Sequence, residues 1–167
     1  GYFLAGITAY YALRKLDIAV CIAAPTAVLY AFAPYHFYRN TGHIYLGMYF
    51  MVPIMVLYVF RLMKDEMLFQ KGEKGWITGA NILRVITLMI MALTGIYYAF
   101  FVCFFLCVVI LYQLLNGEGW KKTRQAFLSI GIIVGTLVLA AIPNLIYWSQ
   151  NGQAEAIAKG GEGVELY

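Results

Sequence analysis

Residues 82–115 read ILRVITLMIMALTGIYYAFFVCFFLCVVILYQLL, 34 positions with a single charge, Arg84. A membrane-spanning helix takes about 20 apolar residues, so this run is too long for one helix and just short of two ideal spans. Its middle, TGIYYAFF at 94–101, supplies the break: Thr94-Gly95 can open a turn, and Tyr97 and Tyr98 suit a bilayer interface. The run predicts two helices joined between Leu93 and Ala99. The fold class follows from it: an all-α, polytopic transmembrane bundle.

The rest of the chain has the same character. It is 63% hydrophobic and 12% charged, with a mean hydropathy of +0.76. Soluble domains run at about 45–50% apolar and about 25% charged, so spanning helices, not a water-excluding core, are the expected unit. Apolar runs cover 2–13, 18–37, 44–60, 82–95, 98–115 and 126–148, which predicts about six membrane helices. The second run carries Pro25 and Pro34 and the third Pro53, which membrane helices tolerate where neighbours satisfy the freed carbonyls. The first run is shorter than a span and has neither a basic leader nor a cleavage site. Residues 1–167 are therefore read as one transmembrane domain, a fragment of a longer membrane protein with its first helix truncated.

Charge fixes the expected orientation. If successive loops alternate sides, one side collects Arg14, Lys15, Arg61, Lys64, Lys71, Lys74, Arg84, Lys121, Lys122 and Arg124, ten of the 12 basic residues. The other side receives only Arg39 and Lys159. Positive charge gathers in cytoplasmic loops, so the ten mark the inside, and residues 34–43 and 149–167 fall outside. The formal charge of +4 is thus explained by topology, and a nucleic-acid surface is excluded.

Between the second and third runs lies APYHFYRNTGHIYLGMYF, residues 33–50, with both histidines of the chain. Tyr35, His36, Tyr38, Arg39, Asn40 and His43 form a polar patch in a short outer connection, and Arg39 is a positive charge that topology does not need. If the turn from His36 to Arg39 is helical, the two share a face. Arginine's planar fork suits phosphate, and imidazole can donate to a phosphate or a sugar hydroxyl. Two readings stand: a binding site for an anionic ligand, or an interfacial belt whose side chains occupy the headgroup layer. Tyr97 and Tyr98 present the same choice between stacking on a substrate and lining a girdle. A metal site is disfavoured, because no carboxylate or third ligand lies near His36 and His43.

The remaining features are bland. Cys21, Cys103 and Cys107 fall inside apolar runs, as small packing residues do, and show no metal-ligand or disulfide spacing. Gly131 and Gly135 are expected to let two helices of one subunit approach closely, with a dimer seam as the weaker alternative. Glu155, Glu162 and Glu165 belong to a polar, glycine-rich tail. No phosphate-cradling loop, nucleophile elbow or metalloprotease signature is present, and no cofactor is implied.

Pro34-Tyr35-His36-Phe37, Arg39, Gly42-His43, Tyr49, Pro53, Gly95, Tyr97-Tyr98 and Phe100-Phe101 together resemble bacterial polytopic membrane glycosyltransferases of the GT-C class, in particular the YfhO-like group often labelled sugar translocases. The resemblance covers most of the chain. It implies a multi-helix protein of the bacterial cytoplasmic membrane that uses a polyprenyl-phosphate-linked sugar on the outer face. Such enzymes carry an acidic catalytic residue in their first outer loop. Here no acidic residue falls on the outer side before Glu155, so the resemblance sets that residue N-terminal to Gly1.

The expected function is therefore part of an enzyme that transfers a sugar from a lipid-linked donor, with Arg39, His36, His43, Tyr35, Tyr97 and Tyr98 as donor-binding residues. The expected partners are that donor and membrane lipids. A transporter or flippase of lipid-linked sugar is the alternative, and a non-catalytic scaffold a third. Mid-helix charge pairs, which would favour transport, are missing from the apolar centres.

Overall fold

The computed structural model describes residues 1–34, 49–64, 66–73, 75–117 and 119–151. The described part is all-helical, and no strand occurs among its residues. In chain order it contains α1 (Tyr2–Lys15), α2 (Val20–Ala31), a 3₁₀ turn (Tyr49–Met51), α3 (Val52–Met63), α4 (Gly79–Thr94), α5 (Ile96–Leu115) and α6 (Trp120–Asn151). The 82–115 run divides at Gly95, whose extended backbone ends α4 and starts α5. The Gly95 carbonyl accepts the Ala99 N–H at 3.0 Å, while the Thr94 hydroxyl turns back to the Ile90 carbonyl. The break falls where Thr94-Gly95 predicts it.

Helix lengths differ from the expected six spans. Among the described residues, Ile96–Leu115 and Trp120–Gln150 are long and apolar enough to cross a membrane. Val20–Ala31, Tyr49–Met63 and Gly79–Thr94 are apolar but shorter. α6 is the longest at 32 residues, about 48 Å at 1.5 Å per residue. It begins six residues before its apolar run, because Lys121, Lys122 and Arg124 are good helix formers that a hydropathy count passes over.

Packing follows side-chain size. α1 lays Ala5, Ala9 and Ala12 against Ala23, Ala27 and Ala31 of α2, all six buried. Alanines three or four apart line one helix face, and their single methyls let two backbones approach closely. The main core lies among α3, α4, α5 and α6, around Leu62, Leu88, Met91, Leu106 and Ile133. Outside these seams the helices keep large apolar side chains exposed, among them Leu29, Leu83, Phe100, Phe104 and Leu139.

Hydrogen bonds fix the helix directions. Gln113 near the end of α5 donates to the Leu62 carbonyl at the end of α3, at 3.1 Å. Gln125 in the second turn of α6 receives the N–H groups of Leu68 and Phe69, just beyond α3, at 2.7 and 3.0 Å. Asn81 at the start of α4 donates to the Gln70 carbonyl at 2.8 Å. The ends of α3 and α5 thus meet the starts of α4 and α6. Ala5, early in α1, clusters with Tyr49 just before α3, so α1 runs with α3 and its Arg14-Lys15 end points the same way. Every described lysine and arginine lies at or near this basic end. Tyr49, Gly95 and Tyr98 mark the opposite, aromatic end.

The 64–78 connection is tied down. The Asn81 amide donates to both the Gln70 and Trp76 carbonyls at 2.8 Å, and its Oδ1 accepts from Arg84 at 3.0 Å. Gly72 and Gly75 exchange backbone hydrogen bonds at 2.9 and 3.1 Å. Gly75 has φ +104°, open to glycine but strained for other residues, and a Cβ on Gly72 would lie 2.7 Å from the Thr78 methyl. Leu68 and Phe69 are buried beneath this turn.

Two packing expectations are corrected. Cys21 and Cys107 are exposed and Cys103 is half-buried, so the thiols are not core residues. Gly131 and Gly135 are also exposed, and a Cβ on either would meet nothing within 4 Å among the described residues. They therefore do not mediate close packing within the described part, because the buried face of α6 is the one carrying Ser129, Ile133 and Thr136.

Candidate functional site

The aromatic end is built from the last turn of α2 and the 3₁₀ turn. The Tyr30 phenol donates to the Tyr49 carbonyl and the Tyr49 phenol to the Tyr30 carbonyl, each at 3.0 Å. A second, longer contact joins the Tyr49 phenol to the Ala31 carbonyl at 3.3 Å. The two rings meet edge to face, their centroids 5.1 Å apart. Carbonyls in the last turn of a helix have no partner further along it, so Tyr49 caps α2 from outside. Tyr2 stacks on Phe32 at 5.7 Å beside this pair.

Four of the sequence-predicted site residues, Tyr35, His36, Arg39 and His43, lie outside the described residues, as do Glu155, Glu162 and Glu165. Both flanks of the 35–48 segment are nevertheless fixed. Pro34 follows the end of α2 and Tyr49 opens the 3₁₀ turn, so the Tyr30–Tyr49 clamp joins them at the aromatic end.

Tyr97 and Tyr98 separate. As neighbours on a helix they point to different faces. Tyr97 is exposed, while Tyr98 is half-buried and packs against the cluster that contains Tyr49. Tyr98 also heads an apolar groove of about 600 Å³ between α3 and α5. Met55, Val59 and Met63 line it on one side, and Val102, Phe105 and Val108 on the other. That volume falls within the range of about 300–1,000 Å³ that ligand pockets occupy. Its α3 wall, Val52 to Met63, is about 16 Å long at 1.5 Å per residue, roughly half the hydrocarbon depth of a bilayer.

Sequence reasoning missed the groove because it depends on α3 pairing with α5 across the intervening helix. It also missed Tyr30, which sits in an apolar run like any girdle tyrosine. The polar side chains at the basic end form a separate group with a structural task. Tyr58 meets Ser129 at 2.7 Å, and Ser129 also lies 2.8 Å from the Gln125 carbonyl. Since serine has one proton and that carbonyl must accept it, Tyr58 is the donor to Ser129. Among the described residues no group of three or more His, Cys, Asp or Glu gathers as a metal site would require.

Comparison with curated proteins and with solved structures finds no match. A family described as "Domain of unknown function (DUF6311)" matches residues 1–159, and the chain belongs to that family.

Proposed function

We propose that the chain is a membrane-embedded bundle of about six spans and forms part of a glycosyltransferase that takes its sugar from a polyprenyl-phosphate donor on the outer face. The observation that carries this reading is the continuity at Tyr98. This one side chain heads the apolar groove and packs against the cluster containing Tyr49. The segment holding His36, Arg39 and His43 leaves and re-enters the described structure beside that cluster. A lipid-linked sugar phosphate has the same division, a long apolar chain joined to one anionic group. In this reading the chain lies between α3 and α5 and the phosphate sits near Arg39.

The exposed apolar side chains support the membrane setting. α5 keeps Phe100, Phe101, Phe104, Phe105 and Leu111 exposed on a helix apolar all round, a pattern that suits lipid and not water. With the basic end cytoplasmic, the aromatic end faces outward, where tyrosines suit the interface. In the transfer step, the acceptor hydroxyl loses its proton to a carboxylate, as the resemblance to GT-C glycosyltransferases implies. The acceptor oxygen bonds to the anomeric carbon as the bond to the lipid phosphate breaks, with inversion. Arg39 offsets the charge left on the phosphate, and His36 or His43 assists.

The test is donor binding and transfer by the full-length protein carrying Arg39→Ala, Arg39→Lys or Lys159→Ala. A hydrogen bond to a charged group contributes about 1.5–3 kcal/mol, so Arg39→Ala should weaken donor binding by roughly tenfold to a hundredfold. Arg39→Lys should recover part, keeping the charge without the fork, and Lys159→Ala should change little. An inserted, stable Arg39→Ala protein with unchanged affinity and transfer would make the patch an interfacial belt. Donor binding that depends on Arg39 without any transfer would favour the flippase.

A further inference from the structure

At the basic end, the 64–78 connection displays apolar side chains where a soluble protein would hide them. Ile77 is 83% exposed and Trp76 52%, and Trp120 at the start of α6 is 65% exposed. They are not free to fold inward. Gln125 holds the N–H groups of Leu68 and Phe69, and Asn81 holds the carbonyls of Gln70 and Trp76, so the burial of this segment is already assigned to Leu68 and Phe69. A cation lies against one of the exposed residues, and two more share their segments. The Arg124 guanidinium lies 5.7 Å from the Trp76 ring centre, and Lys71 and Lys121 are exposed on the same connection and on α6.

We infer that this face is a binding surface for anionic phospholipid headgroups, with Trp76, Ile77 and Trp120 set into the interface and Lys71, Lys121 and Arg124 contacting phosphate. The inference rests on the membrane reading above. Its specific content is that these cations select lipid charge and do more than orient the chain. Charge complementarity names the occupant. The helix ends and loops on this side hold ten Lys and Arg against five Asp and Glu. A nucleic acid or an acidic protein would meet the same charge but would leave Ile77 and the tryptophans in water. A bilayer satisfies both, because helices long enough to span one end at this surface and place it in the headgroup layer.

The experiment reconstitutes the full-length protein into nanodiscs of phosphatidylcholine with one-fifth phosphatidylglycerol, one lipid or the other brominated near the headgroup. Tryptophan quenching then reports which lipid lies beside the protein, and the Trp76→Phe variant isolates the contribution of Trp76. At equal bromine content, the phosphatidylglycerol should quench Trp76 at least about twofold more strongly, because basic residues near the surface attract anionic headgroups. The excess should vanish in Lys71→Gln/Lys121→Gln/Arg124→Gln. It should also shrink in the unaltered protein at 0.5 M salt, which tests the idea without any variant. Inorganic phosphate at millimolar concentration should not displace the lipid. Equal quenching by both lipids, or displacement by free phosphate, would overturn the inference while leaving the membrane reading intact. Failure of the protein to enter nanodiscs at all would instead remove the membrane reading.

Discussion

Tyr30 and Tyr49 each donate a phenol to the other's main-chain carbonyl at 3.0 Å, closing a reciprocal pair across the gap that holds the 35–48 segment. The pair fastens the end of α2 to the start of α3 without any charged group. In a low-dielectric setting such bonds are strong once made, and an orphaned carbonyl is costly.

Tyr30→Phe and Tyr49→Phe each keep the edge-to-face ring contact; the first deletes one hydrogen bond, the second the bond to Tyr30 and the longer one to Ala31. Each single change should cost about 1 kcal/mol, read as a lower melting temperature in detergent. Because the residues touch, the double variant should depart from additivity by about 0.5 kcal/mol or more. Strict additivity would mean that the two bonds form independently and that no clamp exists.

Gln125→Leu removes the acceptor of two buried N–H groups, those of Leu68 and Phe69. Leaving both unpaired should cost on the order of 2–4 kcal/mol and open the 64–78 connection to limited proteolysis. Gln70→Ala is the control. Its side chain is exposed and bonds only the nearby Met67 carbonyl, so its effect should stay within about 0.5 kcal/mol. Equal effects from both would show that Gln125 does not hold the connection.

Much of this organisation was legible in the sequence, for identifiable reasons. The break in the 82–115 run was readable because Thr94-Gly95 interrupts an otherwise continuous apolar stretch. The helical runs were readable because no competing pattern of alternation exists. What stayed hidden depends on which helix meets which. Ala5, Ala9 and Ala12 have the spacing of a packing face, but nothing local shows that Ala23, Ala27 and Ala31 will meet them. Gly131 and Gly135 have the spacing of a close helix contact and yet face outward. At the candidate site, Tyr98 was readable as an interfacial aromatic. Its place at the head of a groove was not, since α3 and α5 lie far apart in sequence.

Orientation is testable position by position. In a background lacking Cys21, Cys103 and Cys107, cysteines at Arg14, Lys64 and Lys121 should resist a membrane-impermeant thiol reagent applied to intact cells. Cysteines at His43, Tyr97 and Gly152 should react. The ten-to-two division of basic residues and their gathering at one end of the bundle motivate this. Labelling at Lys64 from outside would invert the arrangement.

The central claim is that a lipid-linked donor lays its chain between α3 and α5 with its phosphate at the aromatic end. The most direct measurement is photo-crosslinking of the full-length protein with a polyprenyl phosphate bearing a diazirine on its isoprenoid chain, followed by mapping of the labelled peptides. Label should concentrate on the groove walls, within residues 52–63 and 98–108, and should be displaced by unlabelled polyprenyl phosphate. Met55→Trp, which fills the groove, should remove most of it. Label spread evenly over the exposed faces of α5 and α6, undiminished by competitor or by Met55→Trp, would contradict the account.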